Sequence, residues 1–277
     1  MKNTISFGGI LRHGIPEFRL DRDVLDRTIE FILSFGIEVK YNMELGKDIS
    51  LEELEKSYDA IFLGFGANIP SKMNIEGENL EGVYGGNSLL ENEKHPSYIG
   101  KKVAVIGGGN VAMDCSRTIK RLGAEKVYVI YRRAEKQMPA EAKEIEDAKR
   151  EGIEFLFQNN IVKILGKNKV EKIECIKTEL VKKEGETREV PVNIENSNYE
   201  MDMDIVVMAV GSSPEKELLE KSGLELNKWG YINIDENYMT SKKNIFAGGD
   251  IAGSKATVAW AAKTGRDAAY KIIENLK

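Results

Sequence analysis

The sequence predicts an α/β protein built on mostly parallel sheets and divided into a pair of domains. Three observations predict it. Short apolar strands alternate with helical stretches along much of the chain, which argues for parallel sheets with helices on both faces. One apolar strand, VAVI, runs into a glycine turn and then into an amphipathic helix, within residues 103–122. Apolar strands end in glycine turns twice more, at 64–66 and 209–211, and these read as two crossovers between the domains.

The elements follow in order. In DRDVLDRTIEFILSF (21–35), Val24, Leu25, Ile29, Ile32 and Phe35 recur at helical spacing. Gly36 stops that helix, and IEVKYN (37–42) predicts a strand. LEELEKS predicts a short acidic helix, and AIFLGFGANIP (60–70) a buried strand entering a glycine turn. Residues 68–100 are irregular, with Pro70, Pro96 and many glycines, and mark a domain boundary. KKVAVIGGG, NVAMDCSRTIKRL and KVYVIYRR then read as strand, helix and strand. Pro139 opens a helix over AEAKEIEDAKREG, as proline is favoured at the first helical position. Past Gly152 the texture changes to short strands, IEFLFQ, IVKIL and VEKIECIKTELV, with EGETRE as a polar hairpin turn. YEMDMDIVVMAVG closes this region as an apolar strand. PEKELLEKSG is a short helix, and the strand IFAGGD leads to a helix over Thr257–Leu276.

Composition narrows the function classes. The 277 residues are 42% hydrophobic and 31% charged, ordinary for one or two globular domains. Forty basic against 45 acidic residues give a net charge of −5, which offers no general attraction to nucleic acid or to an anionic membrane. Cys115 and Cys175 lie 60 residues apart. Without a CxxC the chain alone cannot form a thioredoxin-type redox disulfide or an iron–sulfur site. The two thiols read as small buried apolar groups. His13 and His95 are too few for a metal cluster, and His13 reads as a loop residue with no part in proton transfer. No apolar run reaches membrane-span length, and MKNTISFGGILRHG lacks a signal-peptide core, so a cytoplasmic protein is expected.

VAVIGGGNVAMD carries Gly107, Gly109 and Ala112, a GxGxxA pattern in its confirming context of strand and helix. The first glycine allows the tight turn, the second lets a pyrophosphate approach the backbone, and Ala112 lets helix and strand pack closely. The pyrophosphate then sits on the helix N-terminus, at Asn110 and Val111, where free N–H groups and the helix dipole favour negative charge. About 20 residues on, NAD-binding chains carry an acid for the ribose. This chain has Tyr131-Arg132-Arg133 there. Two guanidinium groups suit the 2′-phosphate of NADP; the alternatives are a solvated arginine pair, or NAD with Glu135 on the ribose. Asp250 of IFAGGD reads either as a helix cap or as a carboxylate beside a flavin. TVAWAAKTGRDAAYKI supplies a helix N-terminus that could face the flavin's carbonyl edge.

GGILRHGIPEFRL, GFGANIP, VIGGGNVAMDCSRTIKRLGA, YRRAEKQMPA, AVGSSPE and IFAGGDIAGSKATVAWAAKTGRDAA together resemble the small (beta) subunit of bacterial glutamate synthase. They also resemble the large subunit of the NADH-dependent ferredoxin:NADP oxidoreductase and the N-terminal part of dihydropyrimidine dehydrogenase. The resemblance covers essentially the whole chain. It implies a glutathione-reductase-like pair of domains, with the NADPH domain (98–210) inserted in an FAD domain (1–97 and 211–277). Gly8, Gly9, Leu11 and Arg12 would line the flavin, and Gly66 and Ala67 would close the crossover near it. Gly249 and Asp250 would hold the ribityl and pyrophosphate region, and Thr257 and Val258 the ring edge. Gly107, Gly109, Asn110 and Val111 would cradle the NADPH pyrophosphate, Arg132 and Arg133 would take the 2′-phosphate, and Val210 and Gly211 would lie along the nicotinamide.

The implied chemistry is hydride transfer from NADPH to N5 of FAD, with no acid–base residue required. Electrons would pass to iron–sulfur centres of a partner domain or subunit, of the glutamate synthase large-subunit or ferredoxin-linked kind. The sequence departs from the family in lacking its cysteine-rich iron–sulfur domain and its first GxGxxG unit, so a gene fragment or one piece of a split protein is expected. Two other readings stay open. One is an NADPH-binding fragment without flavin or turnover, and the other is an interaction subunit that uses an unfinished FAD-domain face to dimerise or to bind the missing half.

Overall fold

The five residues Lys102–Ile106 are apolar after the first, and Val103, Ala104 and Val105 are fully buried. A parallel strand covered on both faces reads as such a continuous apolar run. In the computed structural model, which describes residues 7–92, 94–182 and 189–277, this strand lies at the centre of a five-stranded parallel sheet. The order across the sheet is Val83–Gly85, Ile205–Met208, Lys102–Ile106, Lys126–Tyr131, Glu154–Phe157. Side chains alternate across the pleat. Val103, Val105, Val127, Val129 and Val207 pack against Ala112, Met113, Cys115 and Ile119 of the helix Asn110–Arg121 and against Ile145 and Ala148 of the helix Ala142–Arg150. Ala104, Ile106, Ile130, Val206 and Met208 pack the other way, against Ile161, Ile164, Ile173 and Cys175.

That second face is covered by an antiparallel sheet, not by the helices that strand–helix alternation predicts. Lys172–Val181 is its spine, paired with Asn159–Leu165, Tyr199–Asp202 and Val190–Asn193. The unit is therefore three layers: helices, a parallel sheet and an antiparallel sheet. The chain divides into two compact units. One comprises residues up to Gly9, Leu25–Ile69 and Ser212–Lys277; the other comprises Ile10–Val24 and Pro70–Gly211 and holds both sheets just described.

The first of these units is built on a parallel strand pair, Ile61–Leu63 with Ile245–Ala247. Leu45, Leu51, Leu63, Leu219, Leu224, Ile232, Ile245 and Ile251 form its core. The acidic helix Leu51–Ser57 starts with a capping box: Ser50 accepts from the Glu53 N–H and the Glu53 carboxylate accepts from the Ser50 N–H. The helix Arg22–Leu33 buries only Leu25 and Ile29, and the helix Val258–Asn275 only Thr264 and Ala268.

Several local expectations are corrected. IEVKYN is not a strand: no described strand lies beside it to take its backbone hydrogen bonds, and Ile37 and Tyr41 are exposed. Residues 68–100 are not all irregular, because VYG at 83–85 is the edge of the parallel sheet and Gly86–Leu90 is a short helix. Pro139 does not open the following helix, which begins at Ala142; the Ala140 N–H is drawn instead to the Gly108 carbonyl at 3.1 Å. YEMDMDIVVMAVG is two strands in different sheets, Tyr199–Asp202 and Ile205–Met208, with Met203 buried at the turn between them. EGETRE, apart from its last residue, lies outside the described residues.

Candidate dinucleotide-binding site

The turn after Lys102–Ile106 requires its first glycine. Gly107 has φ +142°, and a Cβ there would lie 2.2 Å from the carbonyl oxygen of Ala209. Gly108 is also constrained, since a Cβ would meet the Tyr131 ring at 2.6 Å. Gly109 differs. Its φ is −92°, open to any residue, and a Cβ would meet nothing closer than Pro139 Cγ at 4.0 Å. No contact among the described residues calls for a glycine at 109. The space above it is what a pyrophosphate approaching the backbone needs.

Gly109 is also the N-cap of the helix Asn110–Arg121 and offers no capping side chain, so the first-turn N–H groups point outward without an acceptor from the cap. Val111 is half-buried beside them and Ala112 is fully buried against the strand. Asn110 turns its side chain to the neighbouring loop, where Oδ1 accepts from the Glu141 N–H at 3.0 Å. With the Ala140–Gly108 hydrogen bond, this fixes residues 139–141 as a second wall of the cradle. Sequence reading missed that wall. Its one local signal is Pro139, a residue equally suited to a helix start.

Arg132 and Arg133 stand at the end of Lys126–Tyr131. Their carbonyls are tied down, Arg132 by Thr178 Oγ1 at 2.8 Å and Arg133 by the Gln158 N–H at 3.1 Å. Neither guanidinium forms an ion pair among the described residues, and Arg133 Nε is a buried donor with no acceptor there. Glu135, the residue that would favour NAD, is instead held by Lys149 at 2.5 Å. Two uncompensated cations with an orphaned donor fit a phosphate better than a neutral ribose. Val210 is exposed, and Gly211 has φ +112° with its carbonyl accepting from the Ser71 N–H at 3.0 Å.

The other expected residues are placed as follows. Gly8 and Gly9 have φ +120° and +48°, and a short helix, Gly9–His13, carries Leu11 and Arg12 and ends at His13. Gly66 has φ +76° and Ala67 is buried. Gly249, at φ +71°, donates its buried N–H to Thr264 Oγ1 at 2.8 Å. Asp250 lies in the single turn Gly249–Ala252 and caps no long helix; it accepts from Ser254 Oγ at 3.3 Å. Burial raises its carboxyl above the usual range, and the Ser254 hydrogen bond opposes this. Thr257 is the N-cap of Val258–Asn275, its hydroxyl accepting from the Trp260 N–H at 3.4 Å, and Val258 is exposed. Cys115 and Cys175 are both buried and free. Burial pushes both thiols up, that of Cys175 to about 12, so neither is a ready thiolate.

The profile of one family, pyridine nucleotide-disulphide oxidoreductase, matches residues 10–265. The chain belongs to that family. Among its relatives, the NADP(+)-dependent formate dehydrogenase subunit beta of Moorella thermoacetica is 37% identical over 98% of this chain and 39% of that protein. The glutamate synthase [NADPH] small chain of Escherichia coli (strain K12) is 36% identical over 98% of this chain and 61% of that protein. This chain thus spans between about two fifths and three fifths of those relatives' lengths. A putative glutamate synthase [NADPH] small chain of Cereibacter sphaeroides is 32% identical over 97% of this chain and 68% of that protein, and membership of the glutamate synthase small-chain group is thereby shown. The structure of Mycobacterium tuberculosis FprA in complex with NADPH superposes with a TM-score of 0.80 at 20% identity, over 97% of this chain and 75% of that one. The fold is that of the FAD- and NAD(P)-binding oxidoreductases.

Proposed function

We propose that this chain is the dinucleotide- and flavin-binding part of an NADPH-dependent electron-transfer subunit of the glutamate synthase small-chain kind. The observation that carries the reading is Gly109, a glycine whose Cβ position is open and whose φ is ordinary, in a turn whose neighbours are constrained by the chain itself. When bound, the two cofactors supply the chemistry, hydride transfer from the nicotinamide of NADPH to FAD. The chain's own residues bind and orient. Gly107, Gly109, Asn110 and Val111 hold the pyrophosphate on the helix N-terminus, Arg132 and Arg133 hold the 2′-phosphate, and Val210 and Gly211 flank the nicotinamide. Gly8, Gly9, Leu11, Arg12, Gly66, Ala67, Gly249, Asp250, Thr257 and Val258 form the flavin side. Residues 98–210 are the body of the NADPH domain in this reading, with Val83–Gly85 pairing into its sheet as an edge strand, and the rest of 1–97 with 211–277 is the FAD domain.

The next electron acceptor is an iron–sulfur-containing domain or subunit, consistent with relatives described as a beta subunit and as small chains. Among the described residues no helix is long and apolar enough to cross a membrane, and we place the protein in the cytoplasm. A second reading, association through the first unit, is favoured by its exposed Phe31, Phe35, Tyr270 and Ile273. Size-exclusion chromatography across a concentration series tests it; a monomer throughout removes the homodimer.

The test of function is an anaerobic absorbance spectrum of the purified chain with added FAD, after desalting, before and after NADPH. A retained flavin band that bleaches on NADPH addition is expected. A protein that binds NADPH but retains no flavin leaves the nucleotide-binding fragment reading in its place.

A further inference from the structure

Residues 10–24 sit in the compact unit that holds the dinucleotide turn, far in sequence from what they touch there. Arg19 makes a fork to Asp114, with Nη1 at 2.9 and 3.1 Å from the two carboxylate oxygens, and its Nε lies 3.2 Å from Glu144 Oε1. One side chain thus ties two helices, the pyrophosphate helix Asn110–Arg121 and the helix Ala142–Arg150. Beside it the Phe18 ring lies under the guanidinium groups of Arg117 and Arg121, at 4.7 and 4.0 Å. Arg117 is itself bound to Glu144 and Glu151, and Arg121 to Glu151 at 2.7 Å. The cluster holds three guanidinium groups against Asp114, Glu144, Asp147 and Glu151, so charge is nearly balanced around the buried Arg117 and Asp114.

The segment passes this anchoring back to its own start. The Arg19 and Leu20 N–H groups donate to the Pro16 carbonyl at 2.9 and 3.1 Å, and those of Gly14 and Ile15 to the Ile10 carbonyl at 2.8 and 3.0 Å. Arg22 donates to the carbonyls of Leu11 and Ile15, each at 2.8 Å. Leu11 and Arg12 are thereby knit into a block whose hold on the helices is Arg19 and Phe18. Removing Arg19 would leave the Asp114 carboxylate buried without its hydrogen-bonded partner, a costly arrangement.

We propose that Arg19 is a positioning residue for hydride transfer. It latches the block Ile10–Arg22 to the helix that receives the dinucleotide, so that Leu11 and Arg12, on the flavin side of the reading above, are carried by the nucleotide-binding unit. The proposal rests on that reading. It explains why an arginine with a planar fork serves here, since one lysine ammonium cannot face two carboxylates on two helices in the same way. It also sets the latch apart from the cradle itself, because Asp114 lies about one turn beyond Asn110.

The test compares the wild type, Arg19→Met and Arg19→Lys in three measurements. Hydrogen exchange at the amides of Gly14, Ile15, Arg19 and Leu20 should quicken at least tenfold in Arg19→Met and less in Arg19→Lys, with the amides of 102–106 unchanged. The NADPH dissociation constant, from fluorescence titration, should stay within threefold. The rate of flavin reduction by NADPH, with FAD bound, should fall at least tenfold in Arg19→Met and recover in part in Arg19→Lys. Unchanged exchange in the segment overturns the latch. Equal losses in NADPH affinity and in rate overturn the positioning role, as does a loosened segment with an unchanged rate. A wild type that binds NADPH and reduces no flavin overturns the hydride-transfer reading and the positioning role together, and the exchange pattern then separately shows whether Arg19 holds the segment.

Discussion

Alanine at Gly107 and alanine at Gly109 should fail in opposite ways. At 107 the backbone is in a region that L-residues avoid, at φ +142°, which costs about 1–3 kcal/mol. The new methyl would also sit 2.2 Å from the Ala209 carbonyl oxygen and 2.9 Å from its carbon. Both are backbone atoms. They cannot turn aside without disturbing the hydrogen bond from the Ala209 N–H to Ile106 at 2.8 Å, and such overpacking costs about 1–3 kcal/mol more. The sum, about 2–6 kcal/mol, is a large part of the roughly 5–15 kcal/mol that holds a domain folded. At about 2–4 °C per kcal/mol for a unit of this size, the melting temperature should fall by about 4–24 °C. Gly109→Ala meets only Pro139 Cγ at 4.0 Å, so its stability should change by no more than the roughly 1 kcal/mol that separates glycine from alanine at an N-cap. Its methyl would instead occupy the pyrophosphate's approach, and about 1–3 kcal/mol of crowding there weakens NADPH roughly 5- to 150-fold. Circular-dichroism melting and an NADPH fluorescence titration measure the two effects. Equal melting losses at both positions, or undiminished NADPH binding by Gly109→Ala, would refute the division of labour between the two glycines.

Three further outcomes are expected. Replacing Arg132 and Arg133 by alanine together should weaken NADPH at least tenfold, given about 1.5–3 kcal/mol per charge-assisted hydrogen bond, and leave NADH nearly untouched; parallel losses would remove the 2′-phosphate assignment. Thr264→Val strips the buried Gly249 N–H of its acceptor and should cost about 1–3 kcal/mol in urea unfolding, whereas no loss would mean that water replaces the hydroxyl. Burial raises the Asp114 carboxyl from 3.8 to about 6, outweighing the opposing pull of Arg19. The folded state then binds this proton more tightly than the unfolded state, so the Asp114 contribution to stability is greatest below pH 4, declines as pH rises to about 6 and is flat above. The stability difference between wild type and Asp114→Asn should show that slope, and a carboxyl NMR midpoint at or below 4 would show instead that Arg19 prevails.

The strand, glycine turn and helix at 102–121 were legible because their cause is local. A buried strand, three glycines and a helix lie within twenty residues; the tightness at Gly107 follows from its place in the turn, whereas the limit on Gly108 comes from the distant Tyr131 ring. The parallel sheet's edge was not legible. VYG at 83–85 sits between Gly82 and Gly86, and only pairing with Ile205–Met208 makes it a strand. The same holds for residues 199–208, where the alternating YEMDMD runs straight into the apolar IVVM with no turn residue to mark the change of sheet at Met203. Periodicity cannot reveal which layer covers a face, so helices were expected where the antiparallel sheet lies. IEVKYN shows the reverse: strand-like composition without a described neighbour to pair with. The wall at 139–141 and the Arg19–Asp114 fork depend on contacts across 31 and 95 residues. No spacing rule reaches that far.

The strand that completes the parallel sheet arrives late in the chain. Ile205–Met208 inserts between Val83–Gly85 and Lys102–Ile106, and the Ala209 carbonyl that confines Gly107 follows directly after it. During synthesis, at about 5–20 residues per second, the glycine turn therefore waits some seconds for its partner. Until then Lys102–Ile106 has one open edge, of the kind that recruits foreign strands. The cradle of this unit is thus set by its last-made strand. Between the two, the nascent chain has the local sequence of a dinucleotide site and not yet its shape.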